Sequence, residues 1–283
     1  MECRSLTNVD INDLTNCFNF AFSDYIIPMH LETSQLKDRF YAAGIDYSLS
    51  FGAFDSQNRL VAFIMHCTDH SYKPSTVFNV GTGVIPDYRG QRLIAQLYNY
   101  ASPILLASGI KTRMLEVIQS NDKAIRAYQS VGFEIAREFH SFKGRVQPPE
   151  KHVQKGLIAY ASPEEFSQLD HPSFWSFQPS WENSIESIHR NIQAYTIYFI
   201  QDNDKTCGYA VVHSATGLIK QFGVLHEKRR QGYGTTLFKA ISKQHSEIKI
   251  INIDKIDTVT LEFLNKIGLV DYIQQFEMHA ANV

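Results

Sequence analysis

Residues 218–234, LIKQFGVLHEKRRQGYG, hold the arrangement that decides the fold. The stretch LIKQFGVL reads as a strand, HEKRRQGYG as a basic turn, and a helical pattern follows to about His245. A turn placed between strand and helix leaves several backbone N–H groups unpaired, where the helix dipole also favours an anion. Gly232 and Gly234 allow the backbone to approach a phosphate closely, and Arg229 and Arg230 add attraction over a longer range. The pattern RxxGxG is short and weak by itself; its placement gives it weight. The alternative is a solvated basic turn with a relaxed helix start.

Working outward, the second half reads as one mixed α/β unit. VQKGLIAY is a strand, a helical region starts at Pro163, and Trp181 to Ile192 reads as a helix. YTIYFIQD and TCGYAVVHS form a hairpin around Asn203-Asp204. After the basic turn and its helix come the strand IKIINI, a helix from Thr258 to Ile267, and the strand YIQQFEM.

The first half gives the same order. CRSLT is a strand, Asn8 to Phe22 a helix, and a second helix runs from about Thr33 to Gly44, a C-cap glycine. SLSFGAFDS and RLVAFIMHCTD make a hairpin, and Phe78 to Ile85 a strand leading to Pro86 and a polar turn. A helix from Gly90 to Ser108, the strand TRMLEVI, a helix from Asp122 to Val131 and the strand FEIAREFHSF complete it. GRVQPPEKH, with prolines at 148 and 149, reads as a linker. The repeat lies in element order and motif position, with little identity of letters. It divides the chain into domains at 1–146 and 150–283.

The bulk properties exclude several classes. At 283 residues, with 44% hydrophobic and 20% charged residues, the chain can bury two ordinary cores. A net charge of −2 gives no field that selects nucleic acid or an anionic membrane. Cys3, Cys17, Cys67 and Cys207 are scattered without a CxxC pair, so neither structural zinc nor a disulfide framework is expected. No apolar stretch reaches membrane-spanning length and the polar start resembles no signal peptide, so the expected compartment is the cytoplasm. No metal is expected, and the oligomeric state is left open.

The equivalent turn in the first half is Pro86-Asp87-Tyr88-Arg89-Gly90-Gln91-Arg92-Leu93-Ile94. TGVIPDYRGQ (82–91) followed by LEVIQSNDKAIRAYQSVGF (115–133) resembles the GNAT superfamily of N-acetyltransferases, in its pyrophosphate-binding turn and its later Asn…Ala…Tyr…Gly-Phe helix. The resemblance covers nearly all of residues 1–145, and in the second half mainly 216–270. It implies an α/β (α+β-like) fold of two tandem domains, each a mostly antiparallel mixed sheet flanked by helices. It also implies acetyl-CoA as co-substrate and transfer of an acetyl group to an amine acceptor, a small molecule or a peptide.

The same resemblance implies residue roles. The pyrophosphate would rest on backbone N–H groups from Gly90 and Gln91 through Arg92, Leu93 and Ile94, with Arg89 nearby. The backbone of Val84 and Ile85 would pair with the pantetheine arm and polarise the thioester carbonyl. Asn121 would hydrogen-bond the arm, and Tyr128 would protonate the departing thiolate, a job suited to a phenol because it stays protonated at neutral pH. The bland reading of Tyr128 is a core tyrosine. Glu116 is a candidate general base for the amine, or a core-edge glutamate.

Each half departs from the pattern. In the first, Arg92 and Ile94 stand where two glycines are usual; a helical conformation there needs no positive φ. In the second the glycines are present, but Leu264 and Asp257 stand where tyrosine and asparagine are expected, so this half reads as degenerate. Arg229, Arg230, Gly232 and Gly234 remain a possible second cofactor turn. His66, Asp69 and His70 could face the acceptor, although isolated histidines are more often packing residues. Phe166, Phe174, Trp175, Phe177 and Trp181 could line an apolar pocket or form core. No cysteine or serine sits where a covalent nucleophile is expected, which favours direct transfer. The competing function is a non-catalytic acyl-CoA-binding or scaffold protein.

Overall fold

The computed structural model describes residues 1–26, 29–147 and 153–282. It resolves into two compact units: residues 1–136 with 276–283, and residues 137–275. The prolines at 148 and 149 lie outside the described residues.

In the first unit the strands are β1 (Glu2–Ser5), β2 (Phe51–Phe54), β3 (Leu60–Thr68), β4 (Thr76–Val84) and β5 (Thr112–Ile118), neighbours in that order. β1 through β4 pair antiparallel and β4 pairs β5 in parallel. The helices are α1 (Ile11–Ala21), α2 (Thr33–Ala43), α3 (Leu93–Ala107) and α4 (Asp122–Gln129). Strand alternation sorts the core into two layers. Phe63 and Met65 of β3 pack with Leu14, Phe18, Leu36 and Phe40 of α1 and α2. Ala62 and Ile64 pack with Leu93, Leu97, Tyr98 and Ala101 of α3. Gly44 closes α2 at φ +70°, a left-handed cap that glycine adopts without steric cost.

The second unit contains β6 (Glu134–Gly144, from residue 137 on), β7 (Leu157–Tyr160), α5 (Pro163–Ser167), α6 (Ile185–Arg190), β8 (Tyr195–Asp202), β9 (Lys205–His213), β10 (Leu218–Val224), α7 (Tyr233–Ser242), β11 (Ile248–Asp254) and α8 (Thr258–Lys266). Its strand order is β6-β11-β10-β9-β8-β7, with β10 and β11 parallel and the other pairs antiparallel. Again the central hairpin alternates. Ala210 and Val212 face α7 and α8, and Tyr209 and Val211 face Phe166, Phe174 and Ile188.

Two sequence expectations need correction. The segment Trp181 to Ile192 is broken into a 3₁₀ turn at Trp181–Asn183, α6, and a second turn at Ile192–Ala194. Ser184 stops the first turn in an extended conformation (ψ 158°) and restarts the chain, its side chain accepting from the Ser187 amide as the N-cap of α6. The domain ends also differ from a cut at 146 and 150. β6 pairs with β11 in the second unit, Phe142 opposite Ile250. Residues 276–281 of the last strand, β12 (Val270–Ala281), stand beside β5 in the first. Alternating strands of similar length carry no local mark of which neighbour they will pair with.

Candidate active site

In each unit the parallel strand pair opens partway along its length. β4 and β5 are in register from Thr76↔Thr112 to Asn79↔Leu115 and pair no further. β10 and β11 pair only at Leu218↔Lys249 and Ile219↔Ile250. A bulge sits at the opening each time: β4 shifts register against β3 at Val80, and β10 against β9 at Lys220. A bulge bends its strand and strengthens the local twist, which carries β4 and β10 away from their parallel neighbours.

Each departing strand ends in a short 3₁₀ turn, Pro86–Tyr88 or His226–Lys228, and then enters α3 or α7 through the arginine–glycine turn. Two residues in each turn are left-handed: Gly90 (φ +77°) and Arg92 (+56°), Arg230 (+59°) and Gly232 (+98°). The first half therefore does require a positive φ at Arg92, contrary to the expectation of a plain helical start. α3 and α7 also begin without any side-chain cap, whereas Asp10, Asn121, Ser162, Ser184 and Asp257 cap α1, α4, α5, α6 and α8. A helix start that leaves its N–H groups uncapped beneath a left-handed turn is a concave anion site.

Arg89 and Arg229 do not point at that site. Arg89 Nε donates to the Val84 carbonyl at 3.1 Å, and its Nη2 to the Ala21 carbonyl at 3.0 Å. Its guanidinium also pairs with the Asp24 carboxylate at 2.6 Å and 2.8 Å. Arg229 repeats the first two bonds, to the Val224 carbonyl at 2.9 Å and the Phe174 carbonyl at 3.0 Å. Each arginine thus fastens the end of its strand to a neighbouring loop, and the exposed turn arginines that make no such tie are Arg92 and Arg230. Gly83 and Gly223 permit these approaches. A Cβ at Gly83 would lie 2.8 Å from Ala21 Cβ, and one at Gly223 2.7 Å from the Phe174 carbonyl.

Across the first opening stands a polar group of side chains. The Tyr128 hydroxyl is hydrogen-bonded to Thr82 of β4, and burial pushes its pKa up to about 12. Asn79 donates to Thr82 Oγ1 and to the Tyr98 hydroxyl, each at 2.6 Å. Asn121 caps α4 by accepting from the Ala124 amide at 3.2 Å, and its side chain is also hydrogen-bonded to Tyr25. Glu116 is the first residue of β5 beyond the paired stretch; Leu115 and Val117 on either side belong to the α3 core. At Val84 and Ile85 part of the backbone is already hydrogen-bonded within the protein. The Ile85 amide already donates to the Val61 carbonyl at 3.0 Å, and the Val84 carbonyl accepts from Arg89.

The second unit encloses a cavity of about 680 Å³, lined by Phe174, Trp175, Phe222, Arg230, Gly234 and Phe263 among others. Basic residues Lys155, Lys220, Lys228 and Lys266 stand around it. Asn183, 4% exposed, lines it with a side-chain oxygen that has no hydrogen-bond partner. An anion-binding turn at one end, aromatic walls and an unpaired buried acceptor suit a long amide-bearing ligand with a phosphorylated end, which is the chemistry of acyl-CoA. Asp257 caps α8 through the Thr260 amide and accepts from Ser176 Oγ, so its carboxylate is paired. Leu264 is fully buried in the core. The aromatic stripe is divided: Phe166 and Phe174 are core, and Phe174, Trp175 and Phe177 meet the cavity.

Sequence reasoning missed Asp24, Tyr25, Thr82 and Ser176. Tyr25 lies in the stretch between the two helices read in this half, of which Ile27 and Pro28 lie outside the described residues. His66 is fully buried with Nδ1 2.6 Å from the Leu49 carbonyl, a core histidine. The four cysteines are free. Among the described residues no helix is long and apolar enough to cross a membrane.

A family model for the acetyltransferase (GNAT) family matches residues 11–133 and 161–266, one segment in each half. The chain belongs to the GNAT acetyltransferase family, in tandem form. Among solved structures it is similar to a GCN5-related N-acetyltransferase from Sphaerobacter thermophilus, with a TM-score of 0.72 at 14% identity over 99% of this chain and 95% of that one. A tandem GNAT protein from the clavulanic acid biosynthesis pathway gives 0.70 at 12% identity over 100% and 99%. A putative acetyltransferase from Pyrococcus horikoshii gives 0.67 at 14% over 99% and 89%. No curated protein sequence matches the chain.

Proposed function

We propose that the protein transfers an acetyl group from acetyl-CoA directly to an amine acceptor, and that the first unit performs the transfer. The observation that carries this reading is the conjunction, in one unit, of the uncapped start of α3 with Asn121 and Tyr128 across the strand opening. The turn from Gly90 to Ile94 would hold the pyrophosphate by backbone N–H groups, with Arg92 as its cation. The amine nitrogen attacks the thioester carbon, the new C–N bond forms and the C–S bond breaks. Tyr128 donates a proton or a hydrogen bond to the leaving sulfur, and Glu116 receives the proton that the amine loses. The acceptor is a small amine or a peptide, and the setting that fits these parts is the cytoplasm.

A second reading, an acyl-CoA-binding protein without transfer, is favoured by one observation: the open cavity lies in the unit where Leu264 replaces the tyrosine. The test reverses the charge of Arg92 or of Arg230. Arg92→Glu is expected to abolish transfer, measured as CoA release with a panel of amines, and Arg230→Glu to spare it. Loss of transfer in Arg230→Glu alone would move the active site to the second unit. CoA binding without release for any amine would favour the second reading.

A further inference from the structure

Residues 22–25, just after α1, reach across the first strand opening. The near side is fixed to the end of β4, because Arg89 holds the Ala21 carbonyl, the Asp24 carboxylate and the Val84 carbonyl at once. The far side is Tyr25. The Tyr25 ring packs edge-on against Phe22 at 5.1 Å, and its hydroxyl reaches the Asn121 side chain at the head of α4, directly beyond β5. Tyr25 also lies close enough to Tyr128 to raise the pKa of that phenol. A partly buried phenol therefore reaches both side chains assigned to the pantetheine arm and the departing sulfur.

The second unit makes the same crossing with a smaller residue. Arg229 fixes the Phe174 carbonyl to Val224, and two residues further on Ser176 Oγ donates to Asp257, the N-cap of α8. Both crossings end on a hydroxyl bonded to the helix N-cap. They differ in bulk, a phenol in the first unit and a hydroxymethyl group in the second. Ser176 and Asp257 both line the 680 Å³ cavity.

We infer that Tyr25 gates the thioester channel of the first unit: its ring occupies the place of the acyl-CoA arm, and binding there requires it to release Asn121. Ser176 leaves the corresponding channel of the second unit standing open. This rests on the reading that the first unit takes acyl-CoA. When only a fraction of the protein has the gate open, apparent affinity falls by that fraction. CoA therefore binds the first turn more weakly than its contacts alone allow, and removing the ring restores the difference.

The experiment is hydrogen–deuterium exchange of the full chain titrated with CoA, which reads each turn separately. In the wild-type protein, protection at 230–236 is expected at lower CoA concentration than protection at 90–96. Tyr25→Ser is expected to lower the concentration that protects 90–96 by about tenfold or more, leaving 230–236 unchanged. Tyr25→Phe, which loses the Asn121 tie but keeps the ring, lowers it less. The reverse substitution, Ser176→Tyr, weakens protection at 230–236 alone. Equal protection of 90–96 in wild type and Tyr25→Ser overturns the gate. No protection of 90–96 in any variant overturns instead the assignment of acyl-CoA to the first unit.

Discussion

Arg92 and Gly232 occupy the same place in the two turns, each the left-handed residue from which a helix starts, at φ +56° and +98°. Two positions before them the assignment is inverted, with Gly90 in one turn and Arg230 in the other. Both turns thus place two left-handed residues two apart, one a glycine and one a strained arginine. An L-residue in this conformation costs on the order of 1 kcal/mol, which glycine avoids. Arg92→Gly and Arg230→Gly are each expected to raise stability by about 1 kcal/mol in urea unfolding. Unchanged or lowered midpoints in both would mean that the arginine side chains contribute more than the backbone strain removes.

Tyr128→Phe is expected to lower turnover by about 10²–10⁴-fold while CoA affinity changes little. The ring still packs against Phe133, whose centroid lies 5.8 Å away, so folding should be nearly unaffected. Because burial raises this phenol to about 12, the wild-type rate should not fall through pH 10 for want of its proton. Wild-type turnover in the variant, with an amine that serves as acceptor, would remove Tyr128 from the reaction.

Gly223→Ala tests the close approach on which the second cavity is built. The added methyl would stand 2.7 Å from the Phe174 carbonyl, a backbone atom held by Arg229. Overpacking of this kind costs about 1–3 kcal/mol. Thermal unfolding should show the loss. The same substitution at Gly81, where a Cβ meets nothing within 4 Å, should be much milder.

Acid should destabilise the protein below neutrality. His66, fully buried beside Arg113 and Tyr98, is held neutral by desolvation, its pKa depressed to about 4; His171 is likewise lowered to about 4. The unfolded chain binds these protons at about 6.5 and the folded chain only near 4. The stabilisation is therefore complete above pH 6.5 and is lost as pH falls toward 4, by up to about 3 kcal/mol for His66. Urea unfolding at stepped pH should show that decline, and His66→Gln should flatten it. An equal slope in the variant would assign the acid sensitivity elsewhere.

Most elements were legible because their signals are local. TRMLEVI is β5 to the residue, Gly44 does cap α2, and both arginine–glycine turns lie between strand and helix as read. The helix expected at 181–192 was not legible. A serine that caps a new helix competes with continuation of the old one, and only its extended conformation reveals which prevails.

The sequence alone determined the repeated strand–turn–helix, because periodicity, glycine and charge placement act within a few residues. Tyr128 and Asn121 stood out through the resemblance of LEVIQSNDKAIRAYQSVGF to the GNAT superfamily. Only the tertiary structure decided what those residues meet. Arg89 looked like a phosphate ligand until the Val84, Ala21 and Asp24 oxygens were seen around it. Tyr25 acquired meaning only where its loop crosses to Asn121, 96 positions later in the chain. Likewise β6 and β12 chose partners that no local pattern marks. Contacts between residues far apart in sequence depend on how the chain closes its loops, and a local pattern carries no record of that closure.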